Sequence, residues 1–468
     1  MIKKTFIIIT ALIFTSTSLF SDYYYSGGKK HTLKKMKSSR DANSKNVNSF
    51  ETKHGMIVKV NRGIIISFSD KSIKKSIEQK YNLSFTKSLT DKMFLYKVQD
   101  SSKTIEIANH IYEEDGIEFC HPDFQRSKKS RNLTNDPYSW DLWHIYDHWQ
   151  DDGGDVNIEQ AWRYTKGAGV KVAVYDKGID IDHPDLRENI YAFRNYNDSD
   201  TDVPYSNDDK NWHGTACAGI IAASENRIGG VGIAPEANLY AVGYSENNVS
   251  QDIEAYKWMM KEGVSIISNS WGSYSALDAY EEIFKLLATQ GRDGKGMIII
   301  FASGNEQTNL DNKDINDESE SQYVLSIAAS TRENSIASYS NYGSAIDFTA
   351  PGGTSASGII TTDARGQIGY STNDYNKNFM GTSAAAPVAA GTVALMLAEN
   401  PKLTREDVFK ILKFTADKKG RYAYDSNGHN THWGYGKINA GRAVALAHSY
   451  RNSNLKNFAR TMFMELLN

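Results

Sequence analysis

Six apolar, β-branched runs alternate with helix-like stretches between residues 170 and 353. They read VKVAVYD, NLYAVGYS, VSIISNSWG, GMIIIFASGN, YVLSIAAS and AIDFTAPGG. Runs that are apolar on both faces are typical of parallel strands covered by helices. The pattern therefore predicts an α/β fold: a doubly wound, mostly parallel sheet with helices on both faces.

A different pattern precedes it. GIIISF, KMFLYKV and IEFCHPDF are strand-like, while DKSIKKSIEQKYN and KTIEIANHIYEED are helix-like, which predicts a small α+β unit over residues 55–125. Residues 22–54 are polar and Lys-rich, so we expect them to be loose. The basic segment QRSKKSRNLTNDP is rich in helix and strand breakers and predicts a linker before the α/β region.

The two ends of the chain carry their own signals. In MIKKTFIIITALIFTSTSLFS, two lysines precede an apolar core of about a dozen residues, which is typical of a signal peptide (residues 1–21). That core is shorter than the ~20 residues of a membrane helix, so we expect export without a stable membrane span; an uncleaved anchor is the alternative. At the other end, residues 450–468 predict an amphipathic tail helix docked on the body.

Charge is unevenly distributed. Residues 1–131 hold 24 Lys+Arg against 13 Asp+Glu, and the rest of the chain holds 29 against 43, giving net charges of +11 and −14. Basic segments often bind nucleic acid, but attraction between the two parts of the chain explains this asymmetry better. We therefore expect no nucleic-acid partner. The two cysteines, Cys120 and Cys217, lie too far apart in the chain to be more than weak support for a disulfide.

Four reactive side chains stand at element boundaries, where functional groups of parallel α/β sheets collect. Asp176 and Asn305 follow apolar runs, His213 opens the small-residue helix HGTACAGIIAA, and Ser383 begins an apolar helix whose Pro387 we expect within the first turn. A serine nucleophile needs an imidazole base, the imidazole needs an orienting carboxylate, and the oxyanion needs fixed donors. Taken singly, these residues would be a turn residue or helix caps.

The motifs around these four residues resemble those of a known protein family. VYDKGIDIDHPDL, NWHGTACAGIIAA, ASGNE and GTSAAAP resemble the motifs of subtilisin-like serine proteases, over residues 135–448, and NDPYSWDLWHI, the Trp of NSWG and QGRDGKG resemble the kexin/furin branch. The resemblance implies that Asp176 orients His213, that His213 is the general base and acid, that Ser383 is the nucleophile, and that Asn305 donates to the oxyanion beside the Ser383 N–H. A lipase-like α/β-hydrolase would show the reverse order and a Gly-x-Ser-x-Gly elbow, which is absent here.

The implied activity is that of a secreted serine endopeptidase, made as a zymogen, which hydrolyses protein or peptide substrates through an acyl-enzyme. The alternative is a non-catalytic binding or adhesion protein on a retained protease fold, and the intact quartet argues against it. The resemblance also implies a substrate-binding edge and a pocket wall, formed by Ser270, Trp271, Gly272, Ala302, Ser303 and Gly304. Glu306 is either an acid at the pocket mouth or a solvated surface residue.

The loop SENRIGG resembles the family's calcium loop. The resemblance implies a structural Ca²⁺ held by six residues: Asp136, Asp185, Ser224, Asn226, Ile228 and Gly230. The alternative is an ordinary turn after a helix. A second, furin-type calcium site has little support, because its acidic positions are Ser275 and Asn341 here and only Asp311 is an acid.

Other departures concern specificity. Furin-like enzymes read paired basic residues with acids, but Lys177 follows the implied catalytic Asp and Ser273, Tyr274 and Ser275 follow SWG. We also expect no downstream β-domain after His448. A strict dibasic processing role is therefore not supported.

The chain is expected to divide into a prosegment (22–131) and a catalytic domain (132–449). The α+β unit resembles the inhibitory propeptides of the family, with EFCHPDFQ as a strand that lies through the active site. We expect autoprocessing between Phe124 and Asn135, with cleavage after Lys129 or Arg131 plausible if Glu306 shapes the pocket. The propeptide would then act as an intramolecular inhibitor of a monomeric enzyme.

Cys217 lies one helical turn after His213, either as a small core residue or as a redox- or mercurial-sensitive thiol.

Overall fold

The computed structural model describes residues 22–26, 28–35, 48–52, 57–126, 134–147, 153–196, 212–244, 248–273, 277–312, 317–366, 368–420 and 422–452. Contacts within the chain divide it into two compact units, residues 1–129 and 130–468. The predicted signal peptide at residues 1–21 lies outside the described residues.

The first unit contains two antiparallel sheets and two helices. Its elements are β1 (Asp22–Ser26), β2 (Lys29–Lys35), β3 (Asn48–Thr52), β4 (Ile57–Val60), β5 (Gly63–Phe68), α1 (Lys74–Lys80), β6 (Ser84–Ser88), β7 (Met93–Lys97), α2 (Thr104–Tyr112), β8 (Ile117–Pro122) and β9 (Gln125–Arg126), with 3₁₀ turns at Lys71–Ile73 and Ser101–Lys103. One sheet has the order β6-β7-β5-β8 and the other β1-β2-β3-β4-β9. The fully exposed strand β6 was not predicted, because no face of it is buried.

The expectation that residues 22–54 are loose was wrong for the described part of this segment; residues 27, 36–47 and 53–54 lie outside the described residues. The described part contributes the strands β1, β2 and β3. Leu33 and Phe50 are buried there with Val58, Val60 and Ile105 in a small core of their own. Isolated apolar residues in a polar stretch are a weak signal, but pairing across strands gathers them on one face.

The second unit is built on a seven-stranded parallel sheet. Its elements are α3 (Ile158–Ala161), β10 (Lys171–Asp176), β11 (Ile190–Asn195), α4 (His213–Ala222), β12 (Asn238–Gly243), α5 (Val249–Lys261), β13 (Ile266–Asn269), α6 (Asp278–Gly294), β14 (Ile298–Ala302), a 3₁₀ turn (Glu318–Glu320), β15 (Leu325–Ser330), β16 (Phe348–Pro351), β17 (Ile359–Thr362), β18 (Tyr375–Phe379), α7 (Thr382–Glu399), α8 (Arg405–Thr415) and α9 (Ala440–Asn452). The strand order is β11-β12-β10-β13-β14-β15-β16, and every pairing in it is parallel.

The predicted α/β class is confirmed by this sheet and its helices. Two buried clusters flank the sheet, one of them including residues of α4 and α7, the other including residues of α5 and α6. The edge strand β11 and the antiparallel hairpin of β17 and β18 were not predicted. Helix α9 continues to Asn452, past the expected domain end at residue 449; the remainder of the predicted tail helix (453–468) lies outside the described residues.

Helix α7 is central to the unit. It is apolar on all sides and carries Ser383 at its start. Among the described helices it alone is long and apolar enough to cross a membrane, and 89% of that stretch is buried within the protein. Burial on all sides explains its composition, since a core helix has no polar face.

Candidate active site

Asp176 and His213 form the best-defined pair of the site. Asp176 ends β10 and is 1% exposed, and its Oδ1 lies 2.7 Å from His213 Nδ1. Helix α4 approaches this strand end because its second residue is Gly214, whose N–H donates to Lys177 O at 2.7 Å. A Cβ at position 214 would lie 2.8 Å from that oxygen and 3.0 Å from Asp176 Cβ. A residue with a side chain would therefore force the imidazole away from the carboxylate.

The electrostatics of the pair favour a protonated imidazole. Burial disfavours the imidazolium, but the negative charge of Asp176 outweighs it and raises the pKa of His213 well above its usual range. This is the effect expected of a carboxylate within hydrogen-bond distance. Asp176 can therefore stabilise the charge that His213 acquires when it takes a proton.

Ser383 lies in the first turn of α7, where backbone amides have no acceptor within the helix. Its Oγ donates to Ser270 O at 3.4 Å, and among the described residues no hydrogen bond joins it to His213. Catalytic hydrogen bonds are often long or absent without substrate. A hydrogen bond between Ser383 Oγ and His213 would require a different position of this hydroxyl.

Pro387 lies in the second turn of α7, not in the first as the sequence suggested, because the helix begins at Thr382. Its missing N–H leaves the carbonyl of Ser383 without a helical donor. Two side chains supply the hydrogen bonds instead: Ser270 Oγ at 3.1 Å and Cys217 Sγ at 3.5 Å. The same thiol lies 3.8 Å from His213 Nδ1, so Cys217 contacts both His213 and Ser383.

Asn305 is joined directly to the turn before Ser383. Its side-chain oxygen accepts hydrogen bonds from Thr382 N at 2.8 Å and from Thr382 Oγ1 at 3.0 Å. Because Oδ1 is occupied in this way, Nδ2 remains as the donor of the exposed carboxamide. Asn305 and the Ser383 amide thus lie at one end of the same helix, as an oxyanion hole requires.

Glu306 is exposed, yet its carboxylate accepts two hydrogen bonds, one from its own loop and one from Asn341. Its Oε2 accepts hydrogen bonds from Asn305 N at 2.8 Å and from Asn341 Nδ2 at 3.0 Å. These contacts favour neither of the two interpretations considered from the sequence. They give Glu306 a role in shaping the loop that carries Asn305.

The expected substrate-binding residues follow two adjacent parallel strands. Ser270, Trp271 and Gly272 follow β13, and Trp271 Nε1 donates to Tyr175 O at 3.0 Å. Ala302 ends β14, and Ser303 and Gly304 follow it; Ala302 and Ser303 are buried, and Gly304 is partly exposed. The two segments therefore leave neighbouring strands at the same edge of the sheet.

Several residues near the site were not identified from the sequence. The Phe379 ring lies 5.4 Å from the His213 ring, and Tyr370, which is 56% exposed, lies 6.3 Å from Phe379. A Cβ on Gly272 would meet Asp317 Oδ2 at 2.6 Å, so this carboxylate lies against the expected binding edge. These residues come from segments without hydrophobic periodicity, which gave no signal.

Four of the six expected calcium ligands lie in the loop after α4, and Asp136 and Asp185 are buried beside it. Asp136 Oδ1 accepts from Asn226 N at 2.8 Å, while Asp136 Oδ2 is buried and has no hydrogen-bond partner among the described residues. Burial, with a contribution from the negative charge of Asp136, raises the pKa of Asp185 to about 7. Two close carboxylates with an unpaired oxygen fit a hard cation such as Ca²⁺.

The loop carbonyls add to this fit. Among the described residues, the carbonyl oxygens of Ser224, Ile228 and Gly230 accept no hydrogen bond, whereas that of Gly229 accepts one from Tyr138 N at 2.8 Å. The Asn226 side chain departs from the expectation, because its Nδ2 donates to Asp185 Oδ1 at 2.8 Å and its Oδ1 accepts loop amides. Coordination through Asn226 Oδ1 would require a change of rotamer.

Two of the residues considered for a second calcium site form hydrogen bonds within the protein. Asn341 holds Glu306, and Asp311 Oδ1 accepts hydrogen bonds from the backbone N–H and the hydroxyl of Ser344. Ser275 lies outside the described residues.

The model of the subtilase family matches residues 167–436, more than half of the chain. The chain belongs to the subtilase family. Among curated relatives, this subtilase is 30% identical over 416 residues to a calcium-dependent protease of Trichormus variabilis, covering 81% of this chain and 62% of that protein. It is 32% identical over 367 residues to furin-1 of Xenopus laevis, covering 73% of this chain and 45% of that protein. The chain therefore spans less than two thirds of these relatives.

Solved structures agree with the family assignment. A protease from Pseudoalteromonas arctica matches with a TM-score of 0.56 and 27% identity, covering 67% of this chain and 99% of that one. A serine protease of Aeromonas sobria, in complex with a chaperone, matches with a TM-score of 0.58 and 25% identity, covering 68% and 67%. The predicted resemblance to subtilisin-like proteases, including its kexin/furin features, is confirmed by these matches.

Proposed function

We propose that this subtilase is a serine endopeptidase that cleaves proteins or peptides through Asp176, His213 and Ser383. The observation that carries the proposal is the 2.7 Å contact between a buried carboxylate and His213 Nδ1, beside a helix that begins with Ser383. In the neutral imidazole, that contact places the proton on Nδ1 and leaves Nε2 free to act as a base. The shared family supports the same chemistry.

The proposed reaction proceeds in two halves. His213 Nε2 takes the proton of Ser383 Oγ as the oxygen attacks the scissile carbonyl, and the oxyanion accepts hydrogen bonds from Asn305 Nδ2 and Ser383 N–H. The imidazolium then gives its proton to the leaving amine as the C–N bond breaks, which leaves an acyl-enzyme. Water attacks the ester with His213 again as the base, and the Ser383 oxygen leaves with the proton that His213 returns to it, which releases the carboxylic acid product. Asp176 stabilises the imidazolium in both halves.

Casein hydrolysis tests this proposal. The purified protein should hydrolyse casein, and Ser383→Ala should abolish the activity while circular dichroism and a cooperative thermal transition show that the variant is folded. Thr392→Ala, which removes a hydroxyl from the buried part of the same helix, is a control for loss of a hydroxyl in α7 and should keep the activity. A wild type that does not hydrolyse casein would instead favour a binding protein on this fold, and hydrolysis by Ser383→Ala at the wild-type rate would show that Ser383 is not the nucleophile.

We also propose that one structural Ca²⁺ binds between Asp136, Asp185 and the carbonyl oxygens of the loop from Ser224 to Gly230. The cation would neutralise the two buried carboxylates and tie this loop to the body. The unpaired Asp136 Oδ2 supports the site, and the relative from Trichormus variabilis is named a calcium-dependent protease.

The remaining part of the proposal concerns maturation. We propose that the enzyme is exported as a zymogen, that the α+β unit is an inhibitory propeptide, and that cleavage falls between Phe124 and Asn135. N-terminal sequencing and intact mass of the wild type should show a start in that interval. Ser383→Ala, produced in a protease-free host, should retain the unit. A fully active wild type that still carries residues 55–124 would contradict the zymogen model.

A further inference from the structure

The segment formed by residues 339–341 lies between β15 and β16 and contains none of the proposed catalytic residues. It nevertheless contacts both loops that carry the proposed oxyanion donors, the Asn305 loop and the turn before Ser383. We call residues 339–341 the brace.

Asn341 holds the first of these loops with its side-chain carboxamide and its backbone N–H. It is 1% exposed; its Oδ1 accepts hydrogen bonds from Glu306 N at 3.1 Å and Thr308 N at 2.8 Å, and its backbone N–H donates to Gly304 O at 3.1 Å. Its Nδ2 donates to Glu306 Oε2 at 3.0 Å, and that same oxygen accepts the Asn305 N–H at 2.8 Å. The carboxamide thus fixes the backbone after Asn305, and the backbone N–H of Asn341 fixes the residue before it.

Tyr339 holds the second loop. Its hydroxyl accepts from Gly381 N at 3.1 Å and donates to Gly353 O at 2.8 Å, and its carbonyl accepts from Gln307 N at 2.8 Å. Gly381 has φ +116° and directly precedes the first turn of α7. The brace therefore connects the two oxyanion donors through a short path of hydrogen bonds.

The Asn305 loop needs such support. Asn305, Glu306 and Gln307 are exposed, and both Gly304 (φ +97°) and Gln307 (φ +56°) have left-handed backbone geometry. An exposed loop with unusual dihedral angles does not hold a donor in place by itself, yet oxyanion stabilisation depends on donors that are fixed in advance. A displacement of about 1 Å costs on the order of 10²-fold in rate.

We propose that Asn341 is a positioning residue for peptide hydrolysis, which holds Asn305 in its donating position through Glu306. The proposal rests on the proposed protease activity. It also gives Glu306 a defined task, as the acceptor that links Asn341 to the Asn305 amide.

The decisive variant is Asn341→Asp, which keeps the shape of the side chain but sets a carboxylate oxygen about 3.0 Å from Glu306 Oε2. Two carboxylates at that distance cannot both be ionised without repulsion, so one of them acquires a raised pKa. We expect kcat to approach the wild-type value at acid pH and to fall on the order of tenfold on the alkaline side, less than the cost of a full 1 Å displacement. KM should stay within about twofold, because ground-state binding is not altered.

The double variant, Asn341→Asp with Glu306→Gln, removes the repulsion and should restore the alkaline limb of the pH profile. Asn309→Asp is the matched control: it adds the same charge to the same loop, where the Asn309 carboxamide bonds only Asp311 N among the described residues, and should leave kcat unchanged. A peptide boronate, which mimics the tetrahedral adduct, should bind Asn341→Asp more weakly in parallel with the loss of kcat.

A wild-type pH profile for Asn341→Asp, or a double variant that does not recover, would overturn the inference while leaving the protease proposal intact. Activity of Ser383→Ala would instead remove the protease proposal itself. If Asn341→Asp does not fold, Glu306→Ala takes its place. It should lower kcat at least about fivefold with an unchanged melting temperature, because the link to Asn305 is lost. Wild-type kcat in Glu306→Ala would overturn the inference.

Discussion

Acid should destabilise the protein through one buried histidine. His144 is 1% exposed, and neither of its ring nitrogens has a hydrogen-bond partner among the described residues. Burial disfavours the charged ring and lowers the pKa of His144 to about 3. In the unfolded chain the same ring has a pKa of about 6.5. The unfolded state therefore takes up a proton below that pH, whereas the folded state does not until about pH 3.

This difference sets the sign and size of the effect. The contribution of the neutral ring to stability is fully present above about pH 6.5 and is lost as the pH falls toward 3. Between pH 7.5 and pH 5.0, the two pKa values give a loss of about 2 kcal/mol in the free energy of unfolding. That is a large share of the ~5–15 kcal/mol by which a domain is stable.

Urea unfolding at pH 7.5 and at pH 5.0 measures the loss, with Ser383→Ala as the parent so that proteolysis does not interfere. In this background, His144→Leu should reduce the difference between the two pH values by about 2 kcal/mol, because no imidazole remains to be protonated. Leucine also removes two buried polar atoms, which shifts stability equally at both pH values, so only the difference is diagnostic. An identical pH dependence in parent and variant would refute the reasoning.

Three further predictions concern the site. Asn305→Ala should lose about 3 kcal/mol of transition-state stabilisation, the magnitude known for the oxyanion asparagine of subtilisin, without unfolding; near-full kcat would refute its role. Because Asp176 raises the pKa of His213, kcat/KM should rise with pH through a pKa above 6.5, and Asp176→Asn should lower that pKa. An unchanged pH profile of kcat/KM in Asp176→Asn would argue that Asp176 does not act on His213. EDTA should lower the melting temperature of the wild type but not of Asp185→Ala, since Ca²⁺ binds the folded state; equal EDTA effects would exclude Asp185 as a ligand.

The parallel sheet and the element boundaries that carry the candidate site residues could be predicted from the sequence because both leave local patterns. The strand VKVAVY is apolar on both faces and ends at Asp176, and the helix after His213 is made of small residues. Such patterns result from burial, which acts on each element separately. Their order along the chain then places the reactive groups at one edge of the sheet.

Other parts had no local signal. The strand β3 has a single buried apolar residue, Phe50, and it is stable only through its pairing with β2 and β4. The contacts of Asn341 with Glu306 join residues 35 apart in the chain, and no spacing rule reports them. Similarly, Phe379 reaches His213 only because the hairpin of β17 and β18 folds beside α4, where Thr361 and Thr362 donate to Ala216 O and Thr215 O.

The thiol of Cys217 can serve as a spectroscopic probe of this site. Its thiol is fully buried, contacts His213 Nδ1 and donates to the carbonyl oxygen of Ser383. The S–H stretching vibration absorbs in a region of the infrared spectrum that is nearly free of other protein bands, and its frequency depends on the strength of the hydrogen bond and on the local electric field. The subtilase therefore carries a native vibrational reporter beneath its histidine. Protonation of His213 or the proposed acylation of Ser383 can be followed through it without a label, and in the proposed mature enzyme, which lacks Cys120, this thiol gives the only S–H band.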